Sequence, residues 1–494
     1  MINKRNNKAV GSGKSQLPSE CTTIIVGEEQ SADGARYLCR SSDFDAMLTT
    51  NVEVHEDTKH GPKEFIAKDS KFRCPLPEEA LGYTALPDYR YPGEWGSAGF
   101  NTAGVGMSST ETIFSSEKAL SFDPYVENGL AENCTYNIVL PYIRTAREGV
   151  ERLGMLIEKY GSAEGFGIGF IDNDETWYLE NAGGHRWLAC RMPKDKYFVT
   201  GNQSRFRDYD PEDKENFLAS KDLIEFATEH GLYDSDGIEK DKNSRPIFDF
   251  HEAYSRDEKL DTTYNYPRVW SLQQMFSPAI KNDVTKNTFP VFAQAASKIS
   301  LNDLRKAFRY HYDNTEHDPY LHENGKEPYR PISIYRTTQT HIIQVRKDMP
   351  QAIGCVTYVA LGMGDLSVFL PFYQGVKKFP ELYTRVGNGE CHDDTAYWRF
   401  RKAMTLGMTR YNELAPVIKE TYAKLEAEND QLQKEMEAEY LKLYQDFPTK
   451  AAELLQNFSD KLLTHAIEVA DGLVNKLFTL LAEKIQEEYL FHGA

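Results

Sequence analysis

The first stretch of this chain that fits a buried strand is Cys21-Thr22-Thr23-Ile24-Ile25-Val26-Gly27, and everything before it, Met1 to Glu20, is polar, small or charged. A chain that becomes foldable at a cysteine points to that cysteine as its working N-terminus. Scission of the bond between Glu20 and Cys21 would put a thiol and a free α-amino group on one residue. Because an α-amino group titrates at about 7.7–8.0, it can act as the thiol's own general base, with no histidine required. Residues 1–20 are therefore expected to be a removable leader. They carry basic groups but lack the apolar central region of a secretory signal.

The rest of the composition narrows the chemistry. At 494 residues with 40% apolar content, the chain can bury a large core. Its net charge is −18; the leader accounts for +3, which leaves −21 from Cys21 onward. That balance repels phosphate backbones and anionic lipid, so neither nucleic acid nor a membrane surface is an expected partner. No run approaches the roughly 18 apolar residues of a membrane helix. The seven cysteines, Cys21, Cys39, Cys74, Cys134, Cys190, Cys355 and Cys391, are scattered and include no CxxC pair. This is neither a disulfide framework nor a zinc site, and it fits free thiols in a reducing, cytoplasmic setting.

From Cys21 to about residue 404 the texture is strands, turns and a few helices. Asp33-Gly34 between Cys21–Val26 and Ala35–Arg40 signals a hairpin. Residues 50–98 read as a long irregular excursion, Ala103–Ser109 as a strand, and Thr145–Tyr160 as a helix. Phe166–Ile171, Trp177–Glu180, Trp187–Arg191 and Tyr197–Thr200 read as one meander. A later set comprises Ile332–Arg336, Ile342–Arg346, Cys355–Ala360 and Ser367–Pro371. Two layers of strands with helices outside make an α+β sandwich. From residue 405 to 494 two helical stripes follow, Tyr422, Leu425, Leu432, Met436, Tyr440 and Leu443 ended by Pro448, then Leu454 to Leu477. The two stripes are expected to pack on the body or on a sister subunit; alternatively, Asn429 at a seam position would suit a modest coiled-coil or docking helix.

Four motifs in sequence order carry a resemblance: Cys21 to Gly27 followed by Arg40-Ser41-Ser42-Asp43; Asn101 to Met107; Gly201-Asn202-Gln203-Ser204; and Pro267-Arg268-Val269-Trp270. Together they resemble the dipeptidase A-type cysteine peptidases, N-terminal-nucleophile hydrolases related to penicillin V acylases and bile-salt hydrolases. The resemblance implies a four-layer αββα catalytic domain over 21–404, a helical extension over 405–494, autocatalytic release of residues 1–20 between Glu20 and Cys21, and a homo-oligomer acting on dipeptides. It also implies site roles: Cys21 as nucleophile, Arg40 beside the thiolate, Asp43 on the α-amino group, Asn202 as oxyanion donor, and Arg268 as a second site arginine. A guanidinium beside sulfur raises the thiolate fraction, and a carboxylate that fixes the amine lets it take and return a proton.

One position departs from the acylases. Where they place another asparagine, this chain has Glu111, within Ser109-Thr110-Glu111-Thr112. An ionised carboxylate cannot donate to an oxyanion; Glu111 is instead a candidate to bind a substrate's free ammonium group, against a structural hydrogen-bonding role. The same nucleophile acting on another amide, of penicillin V or bile-acid type, is the alternative activity, and a non-catalytic scaffold a third. Asp45 reads as a turn residue. Gly11-Ser12-Gly13-Lys14-Ser15 resembles the end of a phosphate-binding loop, but Lys8 stands where that loop needs glycine. His317, His322 and Cys391-His392-Asp393-Asp394 lack a metal-binding spacing, so no metal or cofactor is expected.

Overall fold

The computed structural model describes residues 20–91, 93–234, 247–320 and 329–490. The leader to residue 19, with its phosphate-loop-like run, and His322 lie outside the described residues.

The hairpin forms as the sequence indicates. Glu20–Val26 pairs antiparallel with Arg36–Asp43, with Val26 opposite Tyr37, and Gly34 turns the chain at φ +74°. Both strands sit in the middle of a seven-stranded sheet. Its spatial order is Phe292–Ala293, Tyr197–Thr200, Glu20–Val26, Arg36–Asp43, Thr337–Val345, Cys355–Leu361 and Leu370–Tyr373. A six-stranded sheet faces it, in the order Phe217–Ala219, Arg186–Arg191, Thr176–Ala182, Phe166–Ile171, Gly106–Thr112 and Ala98–Phe100. Gly169 lets the sheets meet closely: a Cβ there would lie 2.4 Å from the Leu38 side chain of the other sheet.

Helix Ala146–Tyr160 covers the outer face of the six-stranded sheet, and helices Ala396–Thr409 and Pro448–Glu488 pack on the seven-stranded one. The result is the expected αββα layering. Thr145 caps the first of these helices by accepting from the Glu148 N–H. Thr145→Ala is expected to cost about 1 kcal/mol, measured as a lowered denaturant midpoint with unchanged slope.

Three local expectations need correction. Tyr197–Thr200 leaves the meander and pairs with the Cys21 strand in the other sheet, Thr23 opposite Thr200. The strand expected at Ala103–Ser109 instead spans Gly106–Thr112, because the Asn101 side chain accepts from the N–H groups of Ala103 and Val105 and holds those residues in a turn. Ile332–Arg336 is not a strand; the ladder begins at Thr337.

The boundary placed at residue 404 falls inside helix Ala396–Thr409. The long helix Tyr411–Leu443 buries Leu414, Ile418, Tyr422 and Leu425 in the same cluster as Leu38, Ile342 and Val356 of the sheet. Farther along, Leu432 is 49% exposed, against the expectation. The buried face there is polar: Glu426, Asn429, Gln433 and Glu437 point into the protein at helical spacing. Glu426 pairs with Arg309, Glu437 with Arg346 at 2.6 Å, and Gln433 donates to the Tyr358 hydroxyl at 2.8 Å. Asn429 is thus buried on this same polar face of the helix. Pro448 opens the final helix, where a missing N–H is tolerated.

Candidate active site

Cys21, Thr23 and Ile25 alternate onto one face of their strand, and Arg40 is the cross-strand partner of Thr23. That face meets the six-stranded sheet. The Arg40 guanidinium places Nη1 3.1 Å from Cys21 Sγ and is itself held by the carbonyls of Thr110 (2.5 Å) and Ser109 (2.6 Å). A guanidinium fixed by two carbonyls of the facing sheet cannot swing away from the sulfur, so the contact is preorganised.

The backbone of Cys21 is clamped from the other side. Its N–H donates to Asn202 Oδ1 at 3.2 Å, and its carbonyl accepts from Arg268 Nη1. Arg268 also donates to Thr22 Oγ1 (3.1 Å), Asn202 Oδ1 (2.9 Å), Asn265 Oδ1 (2.6 Å) and the Tyr264 carbonyl (3.0 Å). It stands in the first turn of helix Tyr266–Phe276, which aims its side chain at the strand end. Asn202 is locked by Asn265, each donating to the other at 3.1 Å, and its Nδ2 donates to the Thr112 carbonyl at 3.1 Å.

Asp43 lies one pair further along, opposite Glu20 in the ladder. Its carboxylate accepts from Arg330 and Thr337, both at 2.6 Å, and from Ser41 at 3.0 Å. With Glu20 attached, it is therefore Asn202 that holds the Cys21 nitrogen, while Asp43 joins the strand ends. Asp45 makes a local turn, accepting from the Met47 N–H.

Glu111 is fully buried on the facing sheet, and its Oε2 accepts from Thr23 Oγ1 at 2.7 Å. Burial pushes its carboxyl up to about 8, against the opposing pull of Arg268, the Thr23 hydrogen bond and Arg40. Burial likewise pushes the Cys21 thiol up to about 12, opposed by Arg40. Burial thus favours the uncharged form of both the Cys21 thiol and the Glu111 carboxyl. Glu132, nearby, is raised to about 7 by burial and by Glu164.

Sequence reasoning gathered Cys21, Arg40, Asp43, Asn202 and Arg268; the fold brings Cys21, Arg40, Asn202 and Arg268 into direct contact, with Glu111 one hydroxyl away, while Asp43 is engaged by Arg330, Thr337 and Ser41 rather than by Cys21. It missed Thr23, which period-two alternation from Cys21 places on the reactive face. It also missed Asn265, Glu132 and His341. His341 is paired with Arg40 in the ladder and fully buried, which pushes its imidazole well below the usual range, with Arg40 adding to the effect. No short-range pattern betrays these three. Away from the site, His317 stacks on Tyr329 and His392 pairs with Asp394. Among the described residues no three His, Cys, Asp or Glu side chains gather to hold a metal, and no helix is long and apolar enough to cross a membrane.

The profile of peptidase family C69 matches residues 20–424, beginning one residue before Cys21. A probable dipeptidase from Salmonella dublin is 48% identical over 362 residues, covering 73% of this chain and 82% of the relative. Dipeptidase A from Lactobacillus helveticus is 32% identical over 480 residues, covering 95% of this chain and 97% of the relative. A solved mutant conjugated bile acid hydrolase from Clostridium perfringens aligns over 76% of this chain and 98% of its own at 10% identity, with a TM-score of 0.31. On the span of the family match and the identity to these relatives, this chain belongs to peptidase family C69.

Proposed function

We propose that the protein is a cysteine dipeptidase whose nucleophile is Cys21, exposed by removal of residues 1–20. The observation that carries this reading is the double hold on one residue: Arg40 Nη1 at 3.1 Å from the sulfur, and Asn202 Oδ1 at 3.2 Å from the nitrogen. The dipeptidase names of the relatives support a short peptide as substrate. Loss of the leader removes the chain that continues the strand beyond Cys21 and turns the amide nitrogen into an amine.

In turnover that amine takes the thiol proton, and Arg40 stabilises the thiolate as it attacks the peptide carbonyl. Asn202 Nδ2, released from Thr112, donates to the developing oxyanion. The amine then gives its proton to the departing amino acid and afterwards activates the water that hydrolyses the thioester. A substrate ammonium group beside Glu111 would draw its carboxyl into the ionised form, and this pairing would favour free dipeptides over N-acylated ones. All seven cysteines are unpaired, which fits a reducing, cytoplasmic setting.

The intact mass of purified, active protein is expected to correspond to a chain starting at Cys21. Alkylation of the thiol should abolish hydrolysis of dipeptides, and a chelator should leave it unchanged. Full activity in a chain that still carries residues 1–20 would refute the reading.

A further inference from the structure

The uncut chain faces a problem that turnover does not. While Glu20 is attached, the nitrogen of Cys21 is an amide and cannot take a proton, yet the thiol beside it sits at about 12. Some other group must accept the thiol proton before the sulfur can attack.

Three carboxylates bear on the thiol: Glu111, Asp43 and Glu132. Asp43 is occupied by Arg330, Thr337 and Ser41. Glu132 is held by the hydroxyls of Thr112 and Thr110. Glu111 differs from both. One of its oxygens accepts from Thr23, while the other, Oε1, is buried and meets no donor among the described residues. A buried carboxyl oxygen left without a donor costs on the order of 1–3 kcal/mol, so its retention beside the nucleophile calls for a use. The placement supplies one. Thr23 lies two residues from Cys21 on the same strand face, so its hydroxyl fixes the Glu111 carboxyl against the face that carries the sulfur.

We propose that Glu111 is the proton acceptor for self-cleavage of the Glu20 to Cys21 bond, a role that rests on the reading that Cys21 releases its own leader. The proton on Sγ passes to the Glu111 carboxylate, and the thiolate adds to the carbonyl carbon of Glu20. The C–N bond breaks, and the nitrogen leaves with the proton returned by Glu111, becoming the α-amine. Water then cleaves the thioester, giving the Glu20 carboxyl and the free thiol. Glu111 ends as it began.

The groups that face Glu111 are Arg40 and Asp43 on the Cys21 sheet, Arg268 on its helix, Tyr178 on its own sheet, and Cys21 itself. The base works only when ionised, above its value of about 8. Leader release should therefore accelerate about tenfold per pH unit up to about 8, then level off until the thiol itself titrates near 12. Without the carboxylate, release depends on thiolate formed unaided, and the rise should continue through pH 8 with no break.

The test follows leader loss by intact mass in full chains made by cell-free translation, across about pH 6 to about pH 10. The parent should break near about 8. E111Q should be slower by about 10² or more at that pH and show no break, while E111D should keep one. Release from E111Q at the parent's rate with the parent's break would overturn the proposal. Should E111Q fail to fold, judged by circular dichroism and melting, the parent profile decides, because a rise unbroken past about pH 9 overturns the proposal as well. Leader loss from C21A would instead overturn the self-cleavage reading, whatever Glu111 does.

Discussion

Cys21→Ala is expected to retain residues 1–20 and to hydrolyse no dipeptide above background, a loss on the order of 10⁶ in kcat. The size of the effect follows from the site's economy. Arg40, Asn202 and Arg268 all converge on this residue, and none of them is a nucleophile. What they leave behind in the variant is a preorganised hole, which supplies only binding and electrostatic stabilisation. Cys21→Ser keeps the shape but replaces an ionisable thiol with a hydroxyl whose pKa is far too high for Arg40 to hold it as an anion, so it should release its leader slowly and turn over poorly. Intact mass and amino-acid release report the two steps separately. Hydrolysis by the alanine variant within tenfold of the parent would place the nucleophile elsewhere.

Asn202→Ala is expected to lower kcat by about 10²–10³ with little change in KM, provided the leader has been removed. The substitution is local, because Arg268 keeps its bonds to Asn265 and to the Cys21 carbonyl when the amide is gone. Two roles of the amide then need separating: Oδ1 holds the Cys21 nitrogen, and Nδ2 is the donor offered to the oxyanion. Asn202→Asp keeps the acceptor and loses the donor. If donation to the oxyanion is what matters, the aspartate variant should be as slow as the alanine one. An aspartate variant that retains most of the parent's kcat would show that Asn202 acts by holding the nitrogen.

Much of this was readable from sequence, and the misses share a cause. The hairpin after Cys21, the helix at Ala146–Tyr160 and the strands of the Phe166 to Arg191 meander each carry a local signal: a turn glycine, the helical spacing of Val150, Leu153, Leu156 and Ile157, and the turns Asp172-Asn173-Asp174 and Gly183-Gly184. Tyr197–Thr200 was assigned to the wrong sheet because its side chains are buried on both faces, so its pattern does not say which sheet it joins. Leu432 was placed inside because apolar spacing was trusted over the polar stripe of Glu426, Asn429, Gln433 and Glu437, whose partners Arg309, Tyr358 and Arg346 lie 75 or more residues away. In the site, Cys21, Arg40, Asn202 and Arg268 were legible through motif order. The hold of Asn202 on the Cys21 nitrogen was not, since it depends on the loop after Tyr197–Thr200 reaching the start of a strand 181 residues earlier.

Under the proposed self-cleavage, the central position of the Cys21 strand would tie leader release to the completion of synthesis. This strand precedes every other strand among the described residues, yet its neighbour on one side is Tyr197–Thr200, and the strand beyond its other neighbour is Thr337–Val345. Its clamp arrives with Arg268, and the carboxylate at its end is fixed by Arg330 and Thr337. Such distant pairings close late, after the entropy of long loops has been overcome. A nascent or truncated chain therefore holds Cys21 and Arg40 without the Asn202 and Arg268 that clamp the Cys21 backbone. On the proposed self-cleavage, leader release would serve as a covalent record that some three hundred residues of chain have reached their places.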